Sequence, residues 1–404
     1  MSKHAPLTSI DVGTTKICTI IAELGSGDTL RVAGVGITPS NGLHKGLVVN
    51  INDAKESIRE SVSKAEQASG YRVESAYVGV TGRHVTSLNN RGVVAITRND
   101  RLVRSDDLKR VLQCAQSVEV PSDKKVLHVI PRTYAVDGQD GVRNPVGMHG
   151  FRLDVETHVI TAAVASVQNL AKCIRGIGLD IEDLVLEPLA SSEAVLTDEE
   201  KQVGVILADI GGGTTDIAIF KEGSIWHTAI LPVAGYQLTR DIAIGLGLPF
   251  DVAEEMKKRY GSVMPVYEGK MDSTNAIAED GHGASYQDLC DILRARVEEI
   301  TRLILLELPR SEYESLVPAG LVFTGGSSNL SGIDVLGREV LRLPVRVGAP
   351  TNIYGITDAL RDPAYATSVG LLLWGAKHEG RPDWNRGFGS SLRRLVYRVR
   401  DLFN

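Results

Sequence analysis

Two glycine-threonine loops of nearly the same sequence, half a chain apart, constrain this protein more than any other feature. The first runs DVGTTK from Asp11 to Lys16, and the second runs DIGGGTTD from Asp209 to Asp216. Each follows an apolar run that reads as a strand and leads into another, Ile17 to Leu24 after the first loop and Ile217 to Phe220 after the second. A strand, a tight turn opening on an aspartate and a returning strand make a β-hairpin. Glycine is needed where backbone must turn sharply or approach a ligand closely, which assigns Gly13, Gly211, Gly212 and Gly213. Thr14, Thr15, Thr214 and Thr215 add hydroxyl donors to the backbone N–H groups of the turns, a concave nest suited to phosphate oxygens. Neither loop has the spacing of a helix-opening phosphate motif. A single Gly/Thr turn usually only reverses the chain; a matched pair can clamp one polyphosphate from both sides.

Asp11 and Asp209 hold the same place in the two repeats. Two carboxylates converging on a polyphosphate would repel it without a cation between them. Mg²⁺ suits that position, because it keeps several waters and accepts one or two carboxylates beside phosphate oxygens. The competing reading is that both aspartates only accept hydrogen bonds from turn N–H groups.

Composition narrows the function classes further. A chain of 404 residues makes two to three domains, and its net charge of −6 gives no sign of a nucleic-acid partner. Cys18, Cys114, Cys173 and Cys290 are scattered without metal-ligand spacing, so they read as buried small hydrophobes in a reducing compartment. The N-terminal segment has no apolar signal core, and no apolar run is long enough to span a membrane.

Along the chain, Leu30 to Thr38 reads as a strand, Asp53 to Gly70 as a helix and Val73 to Gly82 as a strand. From about Arg83 to Ser166 the texture changes to polar, turn-rich β patterns around one helix, for which Ser105 is the N-cap candidate. That stretch reads as an inserted α+β module, ending in a strand from Thr157. Leu184 to Leu196 joins the two halves, Gly320 to Gly332 reads as strand, double-glycine turn and helix start, and Ala366 to Lys377 is a small-residue helix.

The duplicated hairpins, the EPLA connector at Glu187 and the TGG turn at Thr324 resemble the actin-like ATPase superfamily. The insert, AEEMKKRYGS from Ala253 to Ser262 and the C-terminal tail are similar to one branch of it, the FtsA family of bacterial cell-division proteins. The resemblance implies an α/β, ribonuclease H-like duplicated, two-lobed fold with an inserted small subdomain and a C-terminal amphipathic helix. It divides the chain into a first core subdomain (1–82 and 167–197), the insert (83–166) and a second core subdomain (198–231 and 308–377). The rest is a helical subdomain (232–307), a linker (378–389) and the tail helix (390–404).

It also implies ATP and Mg as cofactors. Asp11, Gly13, Thr14, Thr15 and Lys16 match the first phosphate loop, and Asp209, Gly211, Gly212, Gly213, Thr214 and Thr215 the second. Asp11 and Asp209 then face the metal through water. Gly325, Gly326 and Ser327 match an adenosine loop, and Glu254 with Lys257 the pair that reaches the ribose; on residues alone that pair is a surface i,i+3 ion pair. Glu187 corresponds to a carboxylate near the attacking water, or is simply a helix-start acid beside Pro188. Chains of this family lack the subdomain that closes over the nucleotide in actin, which implies tight binding with slow or absent turnover.

The tail carries the second informative pattern. Leu392, Leu395, Val396, Val399, Leu402 and Phe403 share one helical face, and Arg393, Arg394, Arg398 and Arg400 lie opposite. Fifteen helical residues extend about 22 Å, too short to cross a ~30 Å hydrocarbon core. An apolar stripe backed by arginines is the pattern of a helix lying in an anionic membrane interface; the alternative is a helix docked on its own domain. One such helix binds weakly, which favours assembly of many copies. The resemblance implies self-association, docking of the C-terminal peptide of FtsZ on the helical subdomain, recruitment of other division proteins and a place on the cytoplasmic side of the cell membrane at the division site. Basic candidates for docking are Arg294, Arg296 and Arg302 on the helix from Tyr286 to Leu308, which also read as a solvated face. Two other readings compete, a pilus-type (PilM-like) scaffold and an actin-fold sugar kinase. The tail argues against the first, and the lack of a polar sugar-binding cluster against the second.

Overall fold

The computed structural model describes residues 6–25, 29–117, 120–265, 276–279, 282–308, 316–351, 353–356 and 358–378. The expected tail helix, with Leu392, Arg393, Arg394, Leu395, Val396, Arg398, Val399, Arg400, Leu402 and Phe403, and the linker after His378 lie outside the described residues; His378, placed in the linker, is the last residue of the closing helix.

In chain order, the first lobe opens with β1 (Leu7–Val12), β2 (Lys16–Leu24), β3 (Leu30–Pro39), α1 (Ile51–Ser69) and β4 (Ser75–Val80). The insert follows as β5 (Val85–Ala95), α2 (Ser105–Gln116), β6 (Lys124–Val136), β7 (Gln139–Val142) and β8 (Arg152–Ala163). The chain returns through α3 (Val164–Arg175), β9 (Asp180–Leu186) and α4 (Glu187–Val195). The second lobe has β10 (Val205–Ile210), β11 (Thr215–Lys221) and β12 (Ser224–Leu231), then α5 (Gly235–Leu246), α6 (Phe250–Tyr260) and α7 (Tyr286–Leu306). It closes with β13 (Leu321–Thr324), α8 (Ile333–Leu341) and β14 (Val345–Val347). A last strand, β15 (Ile353–Gly355), belongs to the first sheet, and α9 (Ala366–His378) ends the described chain.

The duplication read from two loops extends to whole sheets. The first sheet has the order β9-β4-β1-β2-β3-β15 and the second β12-β11-β10-β13-β14. In both, the hairpin pair is antiparallel and the first strand is flanked on its other side by a parallel strand. Register makes the repeats superposable: Asp11 pairs with Cys18 in one hairpin, and Asp209 with Asp216 in the other. Every residue of β1 and of β10 is buried, as expected for central strands covered on both faces. The second lobe's core gathers Ile206, Ile217 and Phe323 of the sheet against Leu238, Leu293 and Val297 of α5 and α7. The insert forms its own small core, in which Val111, Leu112 and Ala115 of α2 meet Tyr134, Leu153 and Val155 of a sheet ordered β5-β8-β6-β7.

Two local expectations are corrected. Ser105 is the first helical residue of α2, and the N-cap is Arg104, whose N–H donates to the Asp107 carboxylate at 2.9 Å. The Asp107 carboxylate, three residues past the cap, meets the cap's own N–H, while the Asp107 N–H that a capping side chain would have met donates to the Arg104 carbonyl at 2.9 Å. Cys114 is exposed while Cys18, Cys173 and Cys290 are buried, because it lies off the α2 stripe that packs into the core.

Candidate functional site

Both hairpin turns open into one cavity of about 80 Å³, lined by Asp11, Glu187, Asp209 and Asp216 together with the two glycine-threonine loops and Gly325–Gly326. The loops touch. A Cβ on Gly212 would lie 2.3 Å from the Thr15 methyl group, so only glycine allows this approach. The turn of the second hairpin is closed by the Gly211 N–H donating to the Thr214 carbonyl at 2.9 Å.

Neither aspartate serves its own turn. Asp11 Oδ2 accepts from Ser368 Oγ at 2.7 Å, and Asp209 Oδ2 from Ser191 Oγ at 2.6 Å and Thr367 Oγ1 at 3.0 Å. Thr367 and Ser368 are neighbours in the first turn of α9, so one helix end orients both carboxylates. Gly325, at φ +83°, lies so close to Asp209 Oδ1 that a Cβ would sit 2.3 Å from it, which fixes the carboxylate from the other side. Asp216 was not singled out from the sequence as a site residue. Its carboxylate accepts from Thr81 Oγ1 across the cleft and from Thr214 Oγ1 at 3.1 Å.

Among the described residues, four buried acids therefore share one cavity with a single ammonium, that of Lys16. Burial raises Asp11, against the pull of Lys16 and the Ser368 hydroxyl, and likewise raises Asp209 against the hydroxyls of Ser191 and Thr367. Burial and then the charges of Asp11, Asp216 and Asp209 hold Glu187 well above the usual range. Asp216 is pushed up to about 7, first by burial and then by Asp209 and Asp11, despite its two hydroxyl donors. Lys16 itself donates to the Ala364 carbonyl and lies 4.6 Å over the Tyr365 ring. Excess buried negative charge of this kind fits a cation-carrying ligand. Among the described residues no three His, Cys, Asp or Glu side chains are close enough to hold a metal directly.

The remaining predicted residues sort into three positions. Gly13, Thr14, Thr15, Gly211, Gly213, Thr214, Gly325 and Gly326 line the cavity. Glu254, Lys257 and Ser327 stand at its edge: Lys257 Nζ reaches Glu254 at 2.7 Å, Thr239 Oγ1 at 2.8 Å and the Gly235 carbonyl at 3.2 Å, while Gly235 N–H and Ser327 Oγ both donate to the Gly211 carbonyl at 3.0 Å. The pair is half-buried and anchored beside the second loop, so it is more than a solvated i,i+3 contact. Thr215 is corrected. Its hydroxyl donates to the Val233 carbonyl at 2.7 Å and is fully buried, so it adds no donor to the nest. Glu187 is at once the first residue of α4, followed by Pro188, and a wall of the cavity.

Comparison with known proteins decides the family. The model described as "Cell division protein FtsA" matches residues 206–370, and that of the "SHS2 domain inserted in FTSA" matches residues 82–161. The FtsA protein of Pseudomonas aeruginosa is 44% identical over 376 residues, 92% of this chain and 90% of that protein. The chain belongs to the FtsA family of cell-division proteins. Those of Bacillus subtilis and Escherichia coli K12 are 36% and 34% identical, covering 94% and 91% of this chain and 85% and 90% of their own lengths. Solved structures agree on an actin-like fold. The PilM–PilN type IV pilus biogenesis complex aligns with a TM-score of 0.65 at 17% identity, over 92% of this chain and 98% of that one. MreB5 of Spiroplasma citri bound to ADP aligns at 0.53 and 15% identity, over 92% and 95%. Likeness at that identity speaks for the fold alone. Arg294, Arg296 and Arg302, considered for partner docking, each form intramolecular ion pairs, with Glu298 and Glu339, with Asp241 and Glu299, and with Glu298. No helix among the described residues is long and apolar enough to cross a membrane.

Proposed function

We propose that this FtsA-family protein binds Mg-ATP between its paired hairpins, self-assembles, and tethers FtsZ filaments to the cytoplasmic membrane through its C-terminal amphipathic helix. The observation that carries the nucleotide reading is the convergence of Asp11, Asp209, Glu187 and Asp216 on one cavity bounded by two glycine-threonine turns. The turns supply backbone N–H groups for phosphate oxygens, and a phosphate-borne Mg²⁺ offsets the buried carboxylates, with Asp11 and Asp209 held toward it by the α9 hydroxyls. Glu254, Lys257 and Ser327 are placed for the nucleoside, at the rim beside Gly211. Entry of a triphosphate requires the Thr15–Gly212 contact to loosen, which couples binding to the spacing of the lobes. Turnover is slow or absent, and the protein acts as an adaptor for FtsZ and other division proteins more than as a catalyst. Membrane attachment rests on the apolar and arginine faces of the 390–404 segment and is multiplied by assembly.

The test is calorimetric titration of Mg-ATP into the wild type and Asp209→Ala. The wild type should bind, and the variant should lose most of its affinity while its circular dichroism spectrum is unchanged. Equal Mg-ATP affinity in a folded Asp209→Ala protein would remove the two-hairpin clamp.

A further inference from the structure

A second, smaller cavity, about 20 Å³, shares Glu187 and Thr81 with the cleft. Apolar side chains, among them Val12, Val80, Val167 and Leu170, make most of its remaining wall, together with His84. Both ring nitrogens of His84 are buried, and neither has a protein hydrogen-bond partner. A neutral imidazole carries one donor and one acceptor, and buried polar groups are rarely left unmet. A space of this size holds one water, which needs two to four polar partners; about 10–15 Å³ is the minimum. His84 and Glu187 are the titratable side chains that line it.

The backbone around the cavity has been cleared for these two groups. A Cβ on Gly79 would lie 3.2 Å from Glu187 Oε1 and Cγ, so the glutamate side chain rests on bare backbone. Gly82, at φ +122°, approaches the imidazole so closely that a Cβ would stand 2.9 Å from Nδ1. On its other side Glu187 faces the charges of Asp11, Asp216, Asp209 and Lys16.

We propose that one ordered water in this cavity joins His84 to the Glu187 carboxyl, making His84 a positioning residue that fixes how Glu187 is presented to the cleft. The imidazole, which burial keeps below its ordinary protonation range, is neutral at physiological pH and can donate to the water or accept from it. The relay itself follows from the cavity; only its consequence for a bound phosphate rests on the nucleotide reading above.

The test uses the full chain without nucleotide, labelled with ¹⁵N at its nine histidines. The His84 ring signals are assigned by their loss in His84→Gln, and their titration is followed in the wild type, Glu187→Gln and Gly79→Ala. Glu187, which burial and its acidic neighbours keep protonated where His84 titrates, is exchanged in Glu187→Gln for an amide with a different donor and acceptor pattern toward the water, so the His84 tautomer balance should shift. Gly79→Ala presses on Glu187 and should change the same balance with the carboxyl kept. The other eight histidine signals report that each variant is folded. If they hold and the His84 signals ignore both substitutions, the relay is wrong. Absence of Mg-ATP binding to the wild type would instead overturn the nucleotide reading and leave the relay standing.

Discussion

Removing one charge from the cleft should stabilise the ligand-free protein, and Asp216→Asn is the cleanest way to do it. The Asp216 carboxyl is raised in the folded chain from 3.8 to about 7, chiefly by burial. The folded state therefore holds this proton more tightly than the unfolded one. The resulting stabilisation is complete below pH ~3.8 and is lost as pH rises through about 7, where the buried carboxylate must ionise. Three units correspond to roughly 4 kcal/mol over the whole span, more than half of which falls between pH 5 and pH 8. Asparagine keeps the shape, and the Thr81 and Thr214 hydroxyls can turn to meet an oxygen and an NH₂ group. Full-length wild type and Asp216→Asn would be melted at pH 5 and pH 8 without nucleotide or metal, at one scan rate. The wild type should lose about 3 °C more than the variant between the two conditions, given typical unfolding entropies for a chain of this length. The nine histidines are common to both proteins and cancel in the comparison. Parallel pH profiles for the two proteins would refute the account of a crowded acidic cleft. Mg-ATP added to the wild type should flatten its profile.

Two further outcomes are expected. Gly212→Val would drive a side chain into Thr15, since even a Cβ there stands 2.3 Å from the Thr15 methyl group; Mg-ATP affinity in calorimetry should fall at least tenfold, about 1.4 kcal/mol. For the tail, outside the described residues, Leu395→Glu with Phe403→Glu puts charge into the apolar face at a cost of several kcal/mol. Against arginines that each contribute roughly 1 kcal/mol near an anionic leaflet, that should abolish co-sedimentation with anionic liposomes while Mg-ATP binding persists. Full co-sedimentation of the double variant would remove the anchor.

Local chemistry was legible in the sequence, and long-range chemistry was not. The hairpins could be read because strand, glycine turn and returning strand are adjacent in the chain, and their near-identity carried the duplication that both sheets display. The position of Asp216 was also in plain sight, seven residues after Asp209 and in the place that Cys18 holds in the first repeat. A carboxylate opening an apolar strand was the available signal, but its meaning depends on Thr81, which lies 135 positions away. The same holds for α9. Ala366 to Lys377 reads as a packing helix because its residues are small, yet Thr367 and Ser368 hold Asp209 and Asp11 from 158 and 357 positions away. Thr215 fails in the opposite direction: the motif made it a donor, and tertiary structure spends its hydroxyl on Val233.

These misses share a physical cause that bears on function. The backbone of the two turns is specified within each hairpin, whereas the orientation of the acids is specified by α4 and α9, which carry Ser191, Thr367 and Ser368. Ser191 and Thr367 also lie within hydrogen-bond distance of each other, at 2.9 Å, so the two helices meet at the Asp209 carboxylate. Any change in how α4 and α9 pack must therefore re-aim the carboxylates, and any ligand that draws on those carboxylates must act back on the helix contact. In a protein proposed to assemble with nucleotide bound, that contact is the shortest physical route from the cleft to the arrangement of the lobes.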